Sequence, residues 1–476
     1  MTAPTQPGPG APPRAGLLGT FRHRDFSLFW TGALVSNVGT WMQAVTVPYV
    51  LYQLTHRAVL VGVAAFLSLF PAVFLGPLAG SLADRLSRRR LMLWSQVILA
   101  VLALVLWGAW EGGWRSPALL LGIVGVTGAV SGGTMPVWQA FVADLVPRSD
   151  LLGAVTLNSV QFNASRAIGP AIGGATLAAF GPSWAFLLNA ASFGAVIVAV
   201  ALVRPSTVAP AATRFSARRV LAEFRDAARY TVAERGILLA VVLITLLSFF
   251  ATPIFQLLPI VASRMFHVGA GRYGLLAGAF GTGSVLGAGA LGLWARAAVR
   301  SRIVPVALTV FGAGLLGLAA APVFVAGLLA VLVIGGGFLG SASTILTSIQ
   351  VRVDEEMRGR VLALYIMCLS AMLPLGALVQ SALSPVIGMR TIAAVDGAVV
   401  VAMALVLVGR PVLASALDGS DRLAPADGRP GVGGTTPDVA GRAGVGHAAP
   451  GAGAVVPGLV PLAVTEAASV RGESST

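Results

Sequence analysis

Twelve apolar runs fill this chain from residue 27 to residue 409, at 27–53, 58–83, 91–110, 117–142, 151–179, 183–203, 236–262, 272–298, 303–321, 323–350, 359–386 and 391–409. A helix needs about twenty apolar residues to cross the hydrocarbon of a bilayer, and each run supplies them. The chain is therefore read as an all-α membrane protein of twelve transmembrane helices, with the lipid bilayer as its first partner. Charged residues make up 11% of the 476, against about 25% in a soluble domain.

Between the runs lie segments of a different character. Residues 1–20, rich in Pro and Gly, read as a disordered lead. Residues 21–203 hold six runs and 236–410 hold six more. The linker at 204–235 carries seven arginines, and its stretch "RRVLAEFRDAARYTVAER" has helical periodicity, so an amphipathic helix at the membrane surface is expected there. From residue 411 to 476 the chain is Gly, Pro, Ala, Asp and Thr without a period and reads as a disordered tail.

The basic residues are all arginine, and their positions set the topology. With the N-terminus in the cytoplasm, 26 arginines fall on the cytoplasmic side and five outside, and one, Arg166, lies within a span. That is the positive-inside bias of a cell-membrane protein with both termini cytoplasmic. The net charge of +14 is thus a matter of topology, and no nucleic-acid surface is expected. One cysteine, Cys368, and four scattered histidines exclude an internal disulfide and a metal cluster. No nucleophile–base pair and no nucleotide-binding loop is present, so neither an enzyme nor a cofactor is expected.

The two sets of six runs repeat. With a shift of 212, Gly80 meets Gly292, Arg88 meets Arg300 and Arg90 meets Arg302; with a shift of 207, Asn189 meets Asp396. A parallel repeat of this kind places a binding site between the halves near the bilayer midplane.

Two motifs carry a resemblance. "GPLAGSLADRLSRRRLML", residues 76–93, resembles the loop motif of the major facilitator superfamily, with Ser87 where that motif often has Gly. The resemblance implies two six-helix halves and a gate built from Gly80, Asp84, Arg85, Arg88, Arg89 and Asp144. In it, Asp84 faces the start of the eleventh span around Arg358–Gly359, and Arg88 meets Asp144. Read without the family, the same arginines are a topology anchor. In the fifth span, Ser159, Asn163, Arg166, Pro170 and Gly173 are spaced 4, 3, 4, 3 and share one helix face. Gly169, Pro170, Gly173 and Gly174 resemble the helix-5 motif of the superfamily's antiporters. That implies a bent, small-residue contact with the other half, with static packing as the alternative. "GTWMQ" at 39–43 and "YQLT" at 52–55 are similar to a branch related to enterobactin and macrolide exporters, though Thr40 stands where many relatives have an aspartate.

Arg166 requires a partner or water inside the membrane. Asp396, Asn163, a substrate anion and backbone carbonyls are the alternatives. Asn37, Trp41, Gln43, Trp138 and Gln256 are expected to line a substrate cavity, and Asp396 with Arg166 to couple protons. The resulting expectation is a monomeric secondary transporter that exports amphipathic small molecules by proton antiport. A lipid or lysolipid flippase and a non-transporting scaffold or sensor are the other readings.

Overall fold

The computed structural model describes residues 17–75, 87–203, 217–294 and 299–418, which form helices joined by short turns. The six long helices of the first half are α1 (Arg24–Thr55), α2 (Ala58–Leu75), α3 (Arg88–Glu111), α4 (Pro117–Asp144), α5 (Leu151–Phe180) and α6 (Pro182–Leu202). A linker helix, α7 (Ala217–Ala233), follows. The second half comprises α8 (Arg235–Met265), α9 (Ala270–Trp294), α10 (Arg300–Ala320), α11 (Phe324–Arg352), α12 (Arg358–Ile387) and α13 (Met389–Gly409). A five-residue helix, α14 (Pro411–Ser415), closes the described chain.

The backbone repeats at the spacing seen in the sequence. His56 and His267 both take left-handed φ angles, 52° and 53°, one just after α1 and the other just after α8. Gly181 and Gly388, 207 residues apart, have φ of 81° and 80° at the α5–α6 and α12–α13 corners. Glycine is suited to those corners because a side chain there would be strained.

Among the described residues, ten helices are long and apolar enough to cross a membrane, and the long helices that miss that threshold are α1 and α5. Both carry a polar stripe: Ser36, Asn37, Thr40 and Gln43 on α1, and Asn158, Gln161, Asn163 and Arg166 on α5. Most of the stripe is buried or half-buried against protein, with Thr40 exposed. Gln161 Nε2 donates to the Ala33 carbonyl at 3.0 Å, and Trp138 Nε1 to Asn158 Oδ1 at 3.1 Å. In lipid such groups have no partner and cost several kcal/mol each, so they mark helices that are buried in the bundle.

Within the first half α1 packs on α5 and α6; within the second, α11 packs on α9 and α10, and α10 on α13. The halves meet along α5 against α9 and α2 against α12. Small residues allow both seams. A Cβ on Gly174 would overlap the Cα of Gly274, and one on Gly62 would overlap the Ser381 hydroxyl. Gly173 and Gly169 instead lie against Met42 and Trp41 of α1, in their own half, so of the two glycines expected to reach across, Gly174 does and Gly173 does not.

Both ends of the chain are ordered further than their composition suggests. Leu17–Arg22 form a 3-10 helix with Thr20 buried beside Gly153, which corrects the expectation that disorder extends to residue 20. Residues 411–418 likewise do not belong to a disordered tail: Ala414 and Leu417 are buried, and the Ser301 amide donates to Asp418 Oδ1 at 2.8 Å. The linker helix α7 turns Ala227 and Thr231 into the protein and packs on α12 and α8, with Tyr230 Oη donating to Asp354 Oδ2 at 2.8 Å. The side carrying Ala227 and Thr231 is thus covered by the second half, while Val232 is exposed.

Candidate functional site: a caged arginine between the halves

Arg166 lies fifteen residues into α5, about 22 Å from the helix start at 1.5 Å per residue. Its guanidinium carbon stands 5.5 Å from the ring centre of Trp41, 5.7 Å from Phe255, 5.4 Å from Phe280 and 5.1 Å from Phe338. Trp41 belongs to α1, and the three phenylalanines come from α8, α9 and α11 of the other half. The box is continuous: Trp41 meets Phe255 at 6.1 Å, Phe255 meets Phe280 at 4.7 Å and Phe280 meets Phe338 at 5.8 Å. Each cation–ring contact contributes from about 0.5 kcal/mol where exposed to about 2 kcal/mol where desolvated. The rings hold the charge but accept no conventional hydrogen bond, and Arg166 Nε is buried without a partner. The site therefore has donors to spare and lacks an acceptor.

The backbone supports this position. Pro170 lacks the N–H that would bond the Arg166 carbonyl. Gly281 of α9 lies against that carbonyl, close enough that a Cβ there would come within 2.9 Å of it. The Asn163 side chain donates back to the Ser159 carbonyl at 2.9 Å and does not partner Arg166.

Arg166 and Asp396 form no ion pair, contrary to one of the pairings expected. Asp396 sits in α13, 2% exposed, with Oδ1 accepting from Gln380 Nε2 at 3.3 Å and Oδ2 buried without a partner. Gln380 Nε2 also faces the carbonyls of Phe249 and Phe250, at 3.1 and 2.8 Å. Pro253 frees the first of these, and a π-helical turn at Leu247–Ala251 exposes both. Asp396 thus belongs to a cluster of α8, α12 and α13, inside one half and away from the ring box.

The remaining expected residues fall in several places. Asn37 and Trp138 line a cavity of about 160 Å³ inside the first half, with Ser36, Thr40, Gln96 and Thr134. Gln43 is turned the other way, its Oε1 accepting from Asn189 Nδ2 of α6 at 2.7 Å, so it does not line that cavity. Gln256 is half-buried on α8, next to Phe255. Of the loop motif, Gly80, Asp84 and Arg85 lie outside the described residues. Arg88 donates from Nη1 to both carboxylate oxygens of Asp144, at 2.8 and 3.0 Å. Arg89 caps the end of α6 through the carbonyls of Val200 and Ala201. Arg358, Gly359 and Arg360, at the start of α12, are exposed.

At the end away from the linker, hydrogen bonds cross from one half to the other. Arg264 Nε donates to Tyr52 Oη at 2.7 Å, and Tyr273 Oη donates to the Val45 carbonyl at 2.9 Å while its ring stacks on Tyr49. At the linker end, among the described residues, Arg88–Asp144 and Arg22–Asp150 pair within the first half, and Arg352 pairs with Glu234 at the start of the second. His23 Nε2, 2.6 Å from Asp150 Oδ2, and then Arg22 hold the Asp150 carboxyl below the usual carboxylate range.

Phe280, Phe338, Gln96 and Gln380 are among the site residues that the sequence did not single out. The phenylalanines carry no signal, since a ring in an apolar span reads equally well as lipid-facing. Gln96 and Gln380 did carry one, as lone amides within apolar runs.

A family model described as transmembrane secretion effector matches residues 15–426. The staphyloferrin A transporter of Staphylococcus aureus is 24% identical over 365 residues, covering 76% of this chain and 89% of its own. The enterobactin exporter of Salmonella typhimurium is 28% identical over 367 residues, covering 72% and 81%. Among solved structures, a bacterial homologue of the iron transporter ferroportin, in an inward-facing state, superposes with a TM-score of 0.63 at 16% identity, over 82% of this chain and 99% of that one. A bacterial homologue of the lysosomal transporter Spinster gives 0.60 at 15% identity, over 88% and 100%. These two establish a shared fold. With the family match running from the first 3-10 turn to beyond the last helix, the chain belongs to the transmembrane secretion effector family of the major facilitator superfamily, and so to the multi-pass membrane transporters rather than to the enzymes.

Proposed function

We propose that this protein exports an amphipathic small molecule of siderophore or drug type from the cytoplasm by alternating access, with protons moving the other way. One observation carries the reading: Arg166 stands between the halves, boxed by rings from both, without an acidic partner. A structural arginine in a membrane is paired, whereas one kept with unused donors supports a role in meeting an incoming acceptor. The box suits an anion attached to a flat apolar body, because the rings stack on the body while the guanidinium takes the charge. The resemblance to siderophore transporters agrees with such a cargo.

The positive-inside bias puts the linker in the cytoplasm of a cell-membrane protein. The seal formed by Arg264–Tyr52, Tyr273–Val45 and the α5–α9 glycine seam then lies outside, and this conformation faces inward. Substrate enters from the cytoplasm and docks at Arg166. The linker end then closes, where Asp84, Arg88 and Asp144 belong to the gate, and the outer seal parts. Separation of the halves withdraws Phe255, Phe280 and Phe338 from Arg166, so the anion loses its ring walls and leaves. Asp396 is the buried acid assigned to the proton half of the cycle, through Gln380 and the π-turn of α8 rather than through Arg166. The protein acts as a monomer and uses no cofactor.

Inside-out proteoliposomes with an imposed pH gradient test this reading. Enterobactin, staphyloferrin A and a set of amphipathic drugs are added in turn. At least one is expected to dissipate the gradient, and Arg166→Ala should abolish that response. Folded protein that moves no protons with any of them would overturn proton-coupled export and leave Arg166 a structural charge.

A further inference from the structure

The cavity inside the first half has a chemistry that the caged arginine does not share. Its volume of about 160 Å³ is far above the roughly 10–15 Å³ that holds a single water. Its walls come from α1, α3, α4, α5 and α6, so the first half forms it unaided, and it is open on one side, where Thr40, Ser131 and Met135 are exposed. Its polar groups are Ser36, Asn37, Thr40, Gln96, Ser131 and Thr134, and no ionisable side chain lines it.

The hydrogen bonds decide what these groups offer. Thr40 spends its hydroxyl hydrogen on the Ser36 carbonyl at 2.9 Å, and Thr134 spends its own on the Val130 carbonyl at 2.6 Å. The Gln96 amide nitrogen points one N–H at Met92 Sδ, 3.9 Å away, which leaves the amide oxygen and the second N–H. Trp138 Nε1, also in the wall, is committed to Asn158. What remains is uncharged and mixed: the Asn37 amide and the Ser36 and Ser131 hydroxyls can donate as well as accept, and Thr40 and Thr134 offer lone pairs. An anion would find no cation there, and a cation would find no carboxylate. The complement is a neutral group that both donates and accepts, a hydroxyl or an amide.

The cavity also adjoins the caged arginine. Phe162 forms part of its wall and packs edge-on against Trp41 at 5.9 Å, and Trp41 is one wall of the Arg166 box. We infer that this cavity is a second, neutral subsite, which takes a hydroxyl- or amide-bearing arm of the transported molecule while its anionic end sits at Arg166. The inference rests on the export reading for the identity of the molecule, but the site itself does not depend on transport.

The two subsites differ in one mechanical respect. The neutral one belongs to a single half and keeps its shape when the halves rock. The ring box takes three of its four walls from the other half and is dismantled by the same motion. The neutral arm therefore contributes equally in every state and sets KM, whereas the anionic end is bound differently in different states and sets kcat.

The test uses three small probes and the full-length protein in nanodiscs, with binding read by saturation-transfer NMR. Benzoate has the ring and the anion; N-benzoylserine adds an amide and a hydroxyl; N-benzoylserinamide keeps those and lacks the charge. Wild-type protein is expected to bind N-benzoylserine at least about tenfold more tightly than benzoate. Gln96→Met and Thr134→Val, which preserve volume, should each cut that advantage several-fold and leave benzoate unchanged. Arg166→Gln should weaken both acids and spare the serinamide. Equal affinity of the wild type for benzoate and N-benzoylserine would overturn the subsite, as would equal weakening of both acids by Gln96→Met and Thr134→Val. The expected binding pattern in protein that transports nothing would remove the export reading and keep the subsite; transport without the pattern would do the reverse.

Discussion

Two ionisable groups within the spans, one in each half, have been given opposite settings. Arg166 reaches out of the first half into rings that mostly belong to the second. Asp396 is enclosed by α8, α12 and α13 of its own half, with a single hydrogen bond from Gln380. Rocking one half against the other changes everything around the arginine and little around the aspartate. Arg166 is therefore the group whose energy depends directly on conformation. Asp396 can influence conformation only by acting on α8, whose π-turn and proline-freed carbonyl hold Gln380 in place.

The sharpest way to break this contrast is Arg166→Ala. It removes four ring contacts and the site's charge, and a loss of about a hundredfold or more in transport rate is expected from contacts of about 0.5–2 kcal/mol each. Initial rates in proteoliposomes, at expression equal to wild type, measure it. A loss of less than tenfold would mean that the box is packing alone.

Next in size is Gly174→Val. The new side chain would overlap Gly274 on α9, so the α5–α9 seam should not close. Thiol labelling of a cysteine placed at Val45 should rise several-fold, and transport should fall roughly tenfold or more. Gly194, with nothing near its absent side chain, provides the control, and Gly194→Ala should leave both readings unchanged. Unchanged labelling in Gly174→Val would show that α5 and α9 do not form the seal.

Asp396→Asn should act more narrowly. The amide fits the same space and retains the contact with Gln380, so expression should be close to wild type and transport at optimal pH should fall only a few-fold. Its dependence on external pH should flatten, whereas Arg166→Ala should lower the rate at every pH. An unaltered pH profile would place the proton elsewhere and leave Asp396 a structural acid.

The smallest effect is expected at Asp150, far from both groups. Its carboxyl is held below the usual carboxylate range by His23 and then Arg22. A depressed acid stabilises the folded state above its unfolded value, about pH 4, and that contribution is lost as pH falls through the still lower folded value. Between pH 7 and pH 5 the 3-10 turn before α1 should stay docked, and below about pH 4 it should loosen. Hydrogen exchange of residues 17–22 follows this, and Asp150→Asn should show the loosened exchange already at pH 7. Protection that is the same in both proteins at pH 7 would mean that the turn is held by Thr20 and its packing alone.

Much of this architecture was legible in the chain. The long helices begin and end within a few residues of the apolar runs, because the bilayer sets their length. The repeat seen at a shift of 207 reappears in the paired φ angles of Gly181 and Gly388. Arg166 announced itself, since a charge in an apolar run needs a reason. Its surroundings did not: the ring box is assembled from four helices spread over nearly three hundred residues, and no local pattern connects Trp41 with Phe338. The docking of 411–418 was equally hidden, because a Gly/Pro-rich composition begins just beyond it and masks the buried Ala414 and Leu417.

The sequence by itself determined that the chain crosses a membrane as twelve helices, which side its arginines favour, and which buried charges require explanation. Those follow from transfer energies, which depend on residue type and run length and not on neighbours. Only the tertiary structure decided that Arg166 meets rings and not Asp396, that Gly174 faces the other half while Gly173 does not, and that an uncharged cavity adjoins the arginine. Each depends on the angle at which one helix crosses another, and a side chain's partner is set by that geometry.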